Sequence, residues 1–397
     1  MASDAVDARV VAVEFTGSRR QLLSVLLRGY VLLVPTIGLY RFWLTTMKRQ
    51  FYWGNTNIGK DALEYTGQAR QLLIGFLMAL AFFVPLYGLF FYFSTLSQSA
   101  AIVGYGGVAV LVWFMMGYAI YRGRDFRLSR TLWRGIRCDQ TGNPWAYALR
   151  RFFWSIAVVA SLGLAYPFMT ANLWRYRYEH CFFGDQRFSF HGSWKHVALR
   201  YYLAWGAGVV ITVAGLVTFS SFGDSMQTYV VLAVLAVAMG VTMLRYQAFE
   251  ASTMFSRIGL GDTRVAIKIG AWPLISLYLG FAIALAVTYI ALAFGGFLVL
   301  SLLVPEAFLG GNFQLEVLLA DVRGDWLTLA AIFLGYLLVF GAFTLLAELF
   351  IGLGYWRLVA RGASITGIYT LANVKARAED KALAGEGLAD ALNVGGY

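Results

Sequence analysis

The sequence predicts an all-α, polytopic membrane protein: six spanning helices, two re-entrant or kinked segments, and small cytoplasmic β-hairpins. Three observations carry that expectation. Of 397 residues, 59% are hydrophobic and only 13% charged. An ordinary soluble domain is about 25% charged, so these charges are too few to coat a globule of this size. Apolar runs recur at 21–44, 71–95, 101–121, 152–174, 199–220, 228–248, 272–304 and 326–356, and a crossing needs about 20 such residues. The polar stretches between these runs hold most of the basic charge.

The entrances to the apolar runs share a signature. Glu14-Phe15-Thr16-Gly17 leads into Arg20-Gln21-Leu22-Leu23, and Glu64-Tyr65-Thr66-Gly67 leads into Arg70-Gln71-Leu72-Leu73. Fixed-period self-similarity marks a repeat. A shift of 125 positions places Asp139-Gln140-Thr141-Gly142 on the first entrance and Phe190 and Gly192 on Tyr65 and Gly67. The same shift places Ser161-Leu162-Gly163-Leu164 on Thr36-Ile37-Gly38-Leu39. The expected units are a first membrane repeat over 1–137, a second over 138–263, a helical hairpin with a partial third copy over 264–370, and a cytoplasmic tail over 371–397 that starts as a short surface helix.

Charge decides between two topologies. If all eight runs crossed, the basic loops 45–70 and 122–151 would face away from the N-terminus. If 21–44 and 152–174 enter and leave on one side, the outer loops hold Arg323 against Asp224, Glu306, Glu316, Asp321 and Asp325. The positive-inside rule favours the second arrangement; eight spanning helices is the alternative. The net charge of +11 then reports orientation and contact with anionic lipid rather than nucleic acid. Both copies stand the same way up, unlike the halves of an inverted-repeat transporter.

The two exceptional runs contain Pro35-Thr36-Ile37-Gly38 and Gly163-Leu164-Ala165-Tyr166-Pro167. Proline interrupts the helical ladder. In lipid, such a break persists only where protein or a wet cavity satisfies the backbone. Pro35, Gly38, Gly163 and Pro167 are therefore cavity candidates, with a kinked spanning helix as the plain alternative. Stretches 51–65 and 181–191, and more loosely 127–137, read as strand pairs around glycine turns.

Arg28 and Glu348 are the ionisable residues deepest in apolar runs. A mutual ion pair lining a cavity is the functional reading, and snorkelling to the interface the plain one. Arg130, Trp133, Arg134, Arg137, Arg175 and Arg177 form basic–aromatic loops suited to lipid phosphates at the headgroup level. His180, Cys181, His191 and His196 share one loop, and Cys138 opens the same copy, but no C-x-x-C or H-E-x-x-H spacing supports a metal site. Two cysteines make no disulfide framework. There is no Gly-rich phosphate loop and no G-x-S-x-G elbow, so neither a cofactor nor catalysis is expected. Met1–Arg20 lacks the pattern of a signal peptide.

The ordered motifs resemble the YjgN-like family of bacterial inner-membrane proteins. They are Thr36-Ile37-Gly38-Leu39-Tyr40-Arg41-Phe42-Trp43, Lys48-Arg49-Gln50-Phe51-Tyr52, Asn55-Thr56, Gly59 and Leu63-Glu64-Tyr65-Thr66-Gly67, then Leu128 to Arg137, Arg175 to Tyr178 and Phe183 to Phe190. His180-Cys181 stands where the family has Asn-Thr. The resemblance implies an inner-membrane location with both termini cytoplasmic, and supplies no catalytic residues. The expected function is transport or handling of a small molecule or lipid behind the broken segments. The alternative is a scaffold whose basic face binds anionic lipid or a protein. The expected partner is the bilayer; a protein partner or a second copy stays open.

Overall fold

The computed structural model of the chain describes residues 10–311 and 313–377. Its polar stretches form ten strands: β1 (Val11–Phe15), β2 (Thr56–Ile58), β3 (Asp61–Tyr65), β4 (Thr131–Trp133), β5 (Ile136–Gln140), β6 (Cys181–Phe183), β7 (Gln186–Phe190), β8 (Ile258–Leu260), β9 (Thr263–Ile267) and β10 (Ala363–Thr366). Every neighbouring pair is antiparallel, and pairing of β1 with β10 (Val11 opposite Ile365, Ala12 opposite Ser364) closes them into a barrel.

This corrects the all-α expectation. The hairpins are not small separate ornaments but the staves of one closed barrel, and closure leaves no strand edge exposed. Each hairpin joins a three-residue strand to a five-residue one, too short for alternation to show in sequence. Closure joins residues about 350 positions apart. Residues 51–54, read as strand, continue a helix, and β8, β9 and β10 lie outside the expected strands.

The far rim of the barrel is made of two-residue turns. Gly59, Gly184 and Gly261 take positive φ at the first turn position, and Arg134-Gly135 takes it at both. These are the type II′ and I′ patterns that match strand twist. The interior is filled by Trp133, Phe183 and Leu260 with Ile58, Leu63, Ile136 and Phe188 around them. Ile368 and Leu371, from a 3-10 helix over Ile368–Asn373, close its floor. Beyond it, the Lys375 backbone N–H donates to Asp185 Oδ1 at 3.1 Å. The remainder of the expected tail, 378–397, lies outside the described residues.

At the near rim, β1, β3, β5, β7 and β9 each lead into a helical excursion that returns to the next strand. These are α1 (Arg19–Leu33) with α2 (Arg41–Gly54), α3 (Ala69–Leu96) with α4 (Gln98–Ser129), α5 (Pro144–Ala160) with α6 (Tyr166–Glu179), and α7 (Lys195–Phe222) with α8 (Met226–Phe255). The fifth runs out along α9 (Ala271–Leu303), crosses through a 3-10 helix (Pro305–Gly311) and α10 (Leu315–Gly324), and returns along α11 (Trp326–Ala347), a π-helical turn (Glu348–Gly352) and α12 (Leu353–Gly362). Serine, asparagine and aspartate start several of these helices: Ser18 forms a capping box, Asn143 caps ahead of Pro144, and Asp325 accepts from the Leu327 and Thr328 N–H groups.

The entrance glycines are explained at this rim. A Cβ on Gly17, Gly67 or Gly192 would lie within 2.5 Å of the ring of Phe15, Tyr65 or Phe190. The aromatic two residues earlier turns back over the chain, and only glycine leaves it room. These rings sit at the junction where strand becomes helix.

Among the described residues, six helices are long and apolar enough to cross a membrane: α3, α4, α7, α8, α9 and the continuous Trp326–Gly362. The architecture is that of a multi-pass membrane protein with its barrel wholly on one side. Helices α1, α2, α5 and α6 have 14 to 17 residues, about 21–26 Å at 1.5 Å per residue. That falls short of a hydrocarbon core of about 30 Å. None of these four helices is long enough by itself to cross such a core.

Candidate functional site

The two broken segments form the same turn. Ile37-Gly38 and Leu162-Gly163 take positive φ in succession, +49° and +82°, then +50° and +98°. The Gly38 N–H donates to the Leu33 carbonyl at 2.8 Å and the Gly163 N–H to the Val158 carbonyl at 2.7 Å. Thr36 and Ser161 serve both helices at once. Each hydroxyl donates back to a carbonyl of the incoming helix and accepts the N–H of Tyr40 or Ala165 ahead of it. Prolines do not make the break. Pro35 is exposed just before the first turn, Pro167 is buried in the first turn of α6, and Pro85 sits inside α3 without ending it. The turn tips are apolar and bare: Ile37 is 93% exposed and Leu162 81%.

The turns differ in what covers them. A Cβ at Gly38 would meet nothing within 4 Å. The second turn is clamped by α7, where Trp205 Nε1 donates to the Leu162 carbonyl at 2.8 Å, Tyr201 Oη to the Gly163 carbonyl at 2.7 Å, and Tyr202 Oη to the Leu164 carbonyl at 3.1 Å. These donors supply acceptor partners around the turn, and the Gly163 carbonyl also accepts the Tyr166 backbone N–H at 3.0 Å.

The clamp opens onto a cavity of about 390 Å³ between α7 and α8. Its walls are Tyr201, Ala204, Trp205, Gly208, Val209, Thr212 and Val213 on one helix, and Met239, Thr242, Met243 and Tyr246 on the other. Val209, Val213 and Met243 are 42%, 52% and 59% exposed, so the cavity is a groove open to the lipid-facing side. At its barrel-side end Tyr166 stacks on Tyr201 (centroids 5.0 Å, 18°), and Tyr246 packs edge-on to Tyr201 at 5.3 Å. The Tyr166 hydroxyl donates to the Glu250 carboxylate at 3.2 Å.

A second polar cluster lies across the bundle. The Glu348 carboxylate, at the head of the π-helical turn, accepts from Lys48 Nζ at 3.0 Å and from Tyr52 Oη at 2.7 Å. Gly352 leaves it space, since a Cβ there would stand 3.1 Å from Glu348 Oε1. Arg28, the expected partner, lies exposed on α1 and makes no contact with Glu348. This cluster ties the first short hairpin to the last helix.

The proposed headgroup residues do not form one surface. Arg130 and Trp133 are 5% exposed, and Trp133 packs against Phe183 inside the barrel. Arg134 pairs with Asp61 at the far rim, and Arg137 stands in β5. Arg175 lies near Glu179 and donates to the Gly192 carbonyl, while Arg177 donates to the Leu173 carbonyl and covers the Trp174 ring. The histidines and cysteines do not converge either. His180 meets the Tyr176 carbonyl, His196 meets Ser193, and the Cys181 thiol donates to the Arg177 carbonyl. Cys138 is half-buried against the barrel interior, and its thiol is pushed up to about 12 by desolvation and by its neighbours Cys181 and Asp139.

A family model describing a bacterial protein of unknown function, DUF898, matches residues 10–391, which takes in the barrel and all five helical excursions. The chain belongs to that family. It is the group that the ordered motifs resemble, and membership carries no assigned activity. No curated protein and no solved structure matches the chain.

The groove residues Tyr201, Trp205 and Tyr246, and Glu250 one turn beyond them on α8, were not singled out from sequence. Glu250 falls two positions past the apolar run that ends at 248, so it reads as a cytoplasmic acid. In the structure it lies within the 30-residue helix α8, beside α6. A Tyr-x-x-x-Glu pair continuing the face of an apolar helix was the available signal.

Proposed function

We propose that this family member is a non-catalytic, multi-pass protein of the bacterial inner membrane that holds a lipid or lipid-like small molecule in the groove between α7 and α8. The observation that carries this reading is the 390 Å³ cavity, apolar along most of its length and polar at one end, facing lipid rather than water. Sites that bind small molecules are concave, mostly apolar and given a few placed polar groups. The short hairpin α5–α6 adds to it, because its exposed tip at Leu162 leaves bilayer beside α7 unfilled by protein.

The distribution of charge supports a cytoplasmic barrel. The connections at the distal ends of the long helices hold Asp224, Glu306, Glu316 and Asp325, while the barrel and the helix bases hold nearly all the lysines and arginines. In a Cys138→Ser/Cys181→Ser background, Asp224→Cys is then labelled by an impermeant maleimide on intact cells, and Lys60→Cys only after the cells are opened. The reverse pattern would overturn the orientation.

The groove is tested by filling it. Gly208 lines it, and a Cβ there meets only the Met239 side-chain end at 3.6 Å, so Gly208→Phe puts a ring into the cavity without moving backbone. Purified in mild detergent, the wild-type chain should retain a lipid or amphiphile that the variant loses. Equal retention by a stable variant would refute the groove.

A further inference from the structure

Each of β1, β3, β5, β7 and β9 ends with its last residue opposite the first residue of the strand to which its excursion returns, as Phe15 stands opposite Thr56 and Ile267 opposite Ala363. This shared register brings all five exits to one height on the near rim. Five residues beyond each exit, in the first turn of the outgoing helix, stand Arg20, Arg70, Trp145, Lys195 and Trp272. The three cations are exposed, Trp145 is 48% exposed and Trp272 78%. Arginine, lysine and tryptophan are the side chains that settle at the headgroup level of a bilayer. Ten residues beyond their own exits, Arg150 and Arg200 are exposed as well. None of these five cations stands in an ion pair among the described residues. The exposed acids Glu14 and Glu64 lie in β1 and β3, on the barrel side of the exits, and none of the five helices carries an acid in its first turn. The helices themselves do not call for the cations, because a helix dipole opposes positive charge in the first turn.

We infer that this ring is a docking surface for the headgroups of anionic phospholipids, the cations reaching the phosphates and the two indoles lying among the headgroups. Charge complementarity selects the lipid. In a zwitterionic lipid the phosphate is offset by the lipid's own cation, whereas an anionic lipid leaves that negative charge for the ring. The fold supplies a headgroup surface other than the one expected from sequence. Positions 20, 70 and 195 belong to three separate excursions, and only the closed barrel brings them to one level. No ring residue lines the cavity between α7 and α8, so this surface and the groove stand or fall separately.

The test is native mass spectrometry of the full chain, released from detergent micelles that hold equal amounts of phosphatidylglycerol and phosphatidylcholine. Phosphatidylglycerol should be retained about fivefold over phosphatidylcholine, the scale of one cation near an anionic headgroup, and the preference should shrink as ionic strength rises. Arg20→Gln/Arg70→Gln/Lys195→Gln should remove most of the preference while phosphatidylcholine adducts persist, which shows that the variant is folded. Arg20→Lys/Arg70→Lys, which keeps the charge, should keep the preference. The control is Arg134→Gln/Arg187→Gln/Arg264→Gln, which removes as many charges from exposed positions at or near the far rim and should leave the preference intact. Equal retention of the two lipids by the wild-type chain overturns the docking surface. A preference that survives the ring variant overturns it too, and equal losses in the ring variant and the control assign the preference to net charge instead of the ring.

Discussion

Gly163 and Gly38 offer a paired experiment in which one structure supplies its own control. Both sit second in a left-handed pair, with φ of +98° and +82°. A β-carbon in that region costs roughly 1–2 kcal/mol. For Gly38→Ala nothing further is added, because no atom lies within 4 Å of the new Cβ. For Gly163→Ala the Cβ would stand 3.0 Å from Trp205 Nε1 and 3.2 Å from Tyr201 Oη. Those two atoms donate to the Leu162 and Gly163 carbonyls, and a net hydrogen bond is worth about 1 kcal/mol. Displacing both brings the expected loss to about 3–4 kcal/mol against 1–2 for Gly38→Ala. The assay is the apparent unfolding temperature of each variant in the same detergent at one scan rate, since membrane proteins of this size unfold irreversibly. Gly163→Ala should melt several degrees below Gly38→Ala. Trp205→Phe, which removes the donor, should narrow the gap between Gly163→Ala and its parent. If the two alanine variants fall by equal amounts, the clamp contributes nothing and the turn is held by its backbone alone.

Two further outcomes follow from buried polar groups. Lys48→Met should destabilise by about 3 kcal/mol, because it leaves the Glu348 carboxylate, 11% exposed, without its 3.0 Å ammonium partner. Adding Glu348→Gln should restore at least half of that, and strictly additive losses in unfolding temperature would show that the two groups do not act as a pair. Cys138 and Cys181 should resist iodoacetamide at pH 8 in the folded protein and react readily in dodecyl sulfate, because burial raises both thiol pKa values. The Cys138 pKa rises from an ordinary 9.0 to about 12. Unfolded chains therefore lose that proton first, and stability is fully present below pH 9 and declines as pH rises toward 12. Fast alkylation of the native protein at pH 8 would mean that the barrel wall is open.

Much of the local structure could be read from the residues in order. Thr36-Ile37-Gly38 and Ser161-Leu162-Gly163 mark the same event because every group that makes the turn lies within about six residues of it. The entrance motifs are legible for a similar reason: Phe15 and Gly17, Tyr65 and Gly67, and Phe190 and Gly192 form their contact across two residues. Proline marks the broken segments in the sequence, but the carriers of the break are a left-handed pair and one hydroxyl. Shared depth in apolar runs suggests pairing Glu348 with Arg28, but depth fixes neither the direction of a side chain nor its neighbour. Lys48 reaches Glu348 because α2 returns beside the last helix.

The sequence alone determined the class of solvent, the number of long apolar helices and the places where the chain turns, since each depends on composition or on residues close together. Only the tertiary structure decided that four scattered hairpins and two single strands form one closed barrel. That closure rests on β1 and β10 meeting across 350 positions, and strands of three to five residues announce no such partner. Only the tertiary structure placed Tyr166 against Tyr201, Tyr246 and Glu250. Those residues lie on three different helices, and Tyr201 and Tyr246 among them wall a cavity that no single stretch of the chain contains.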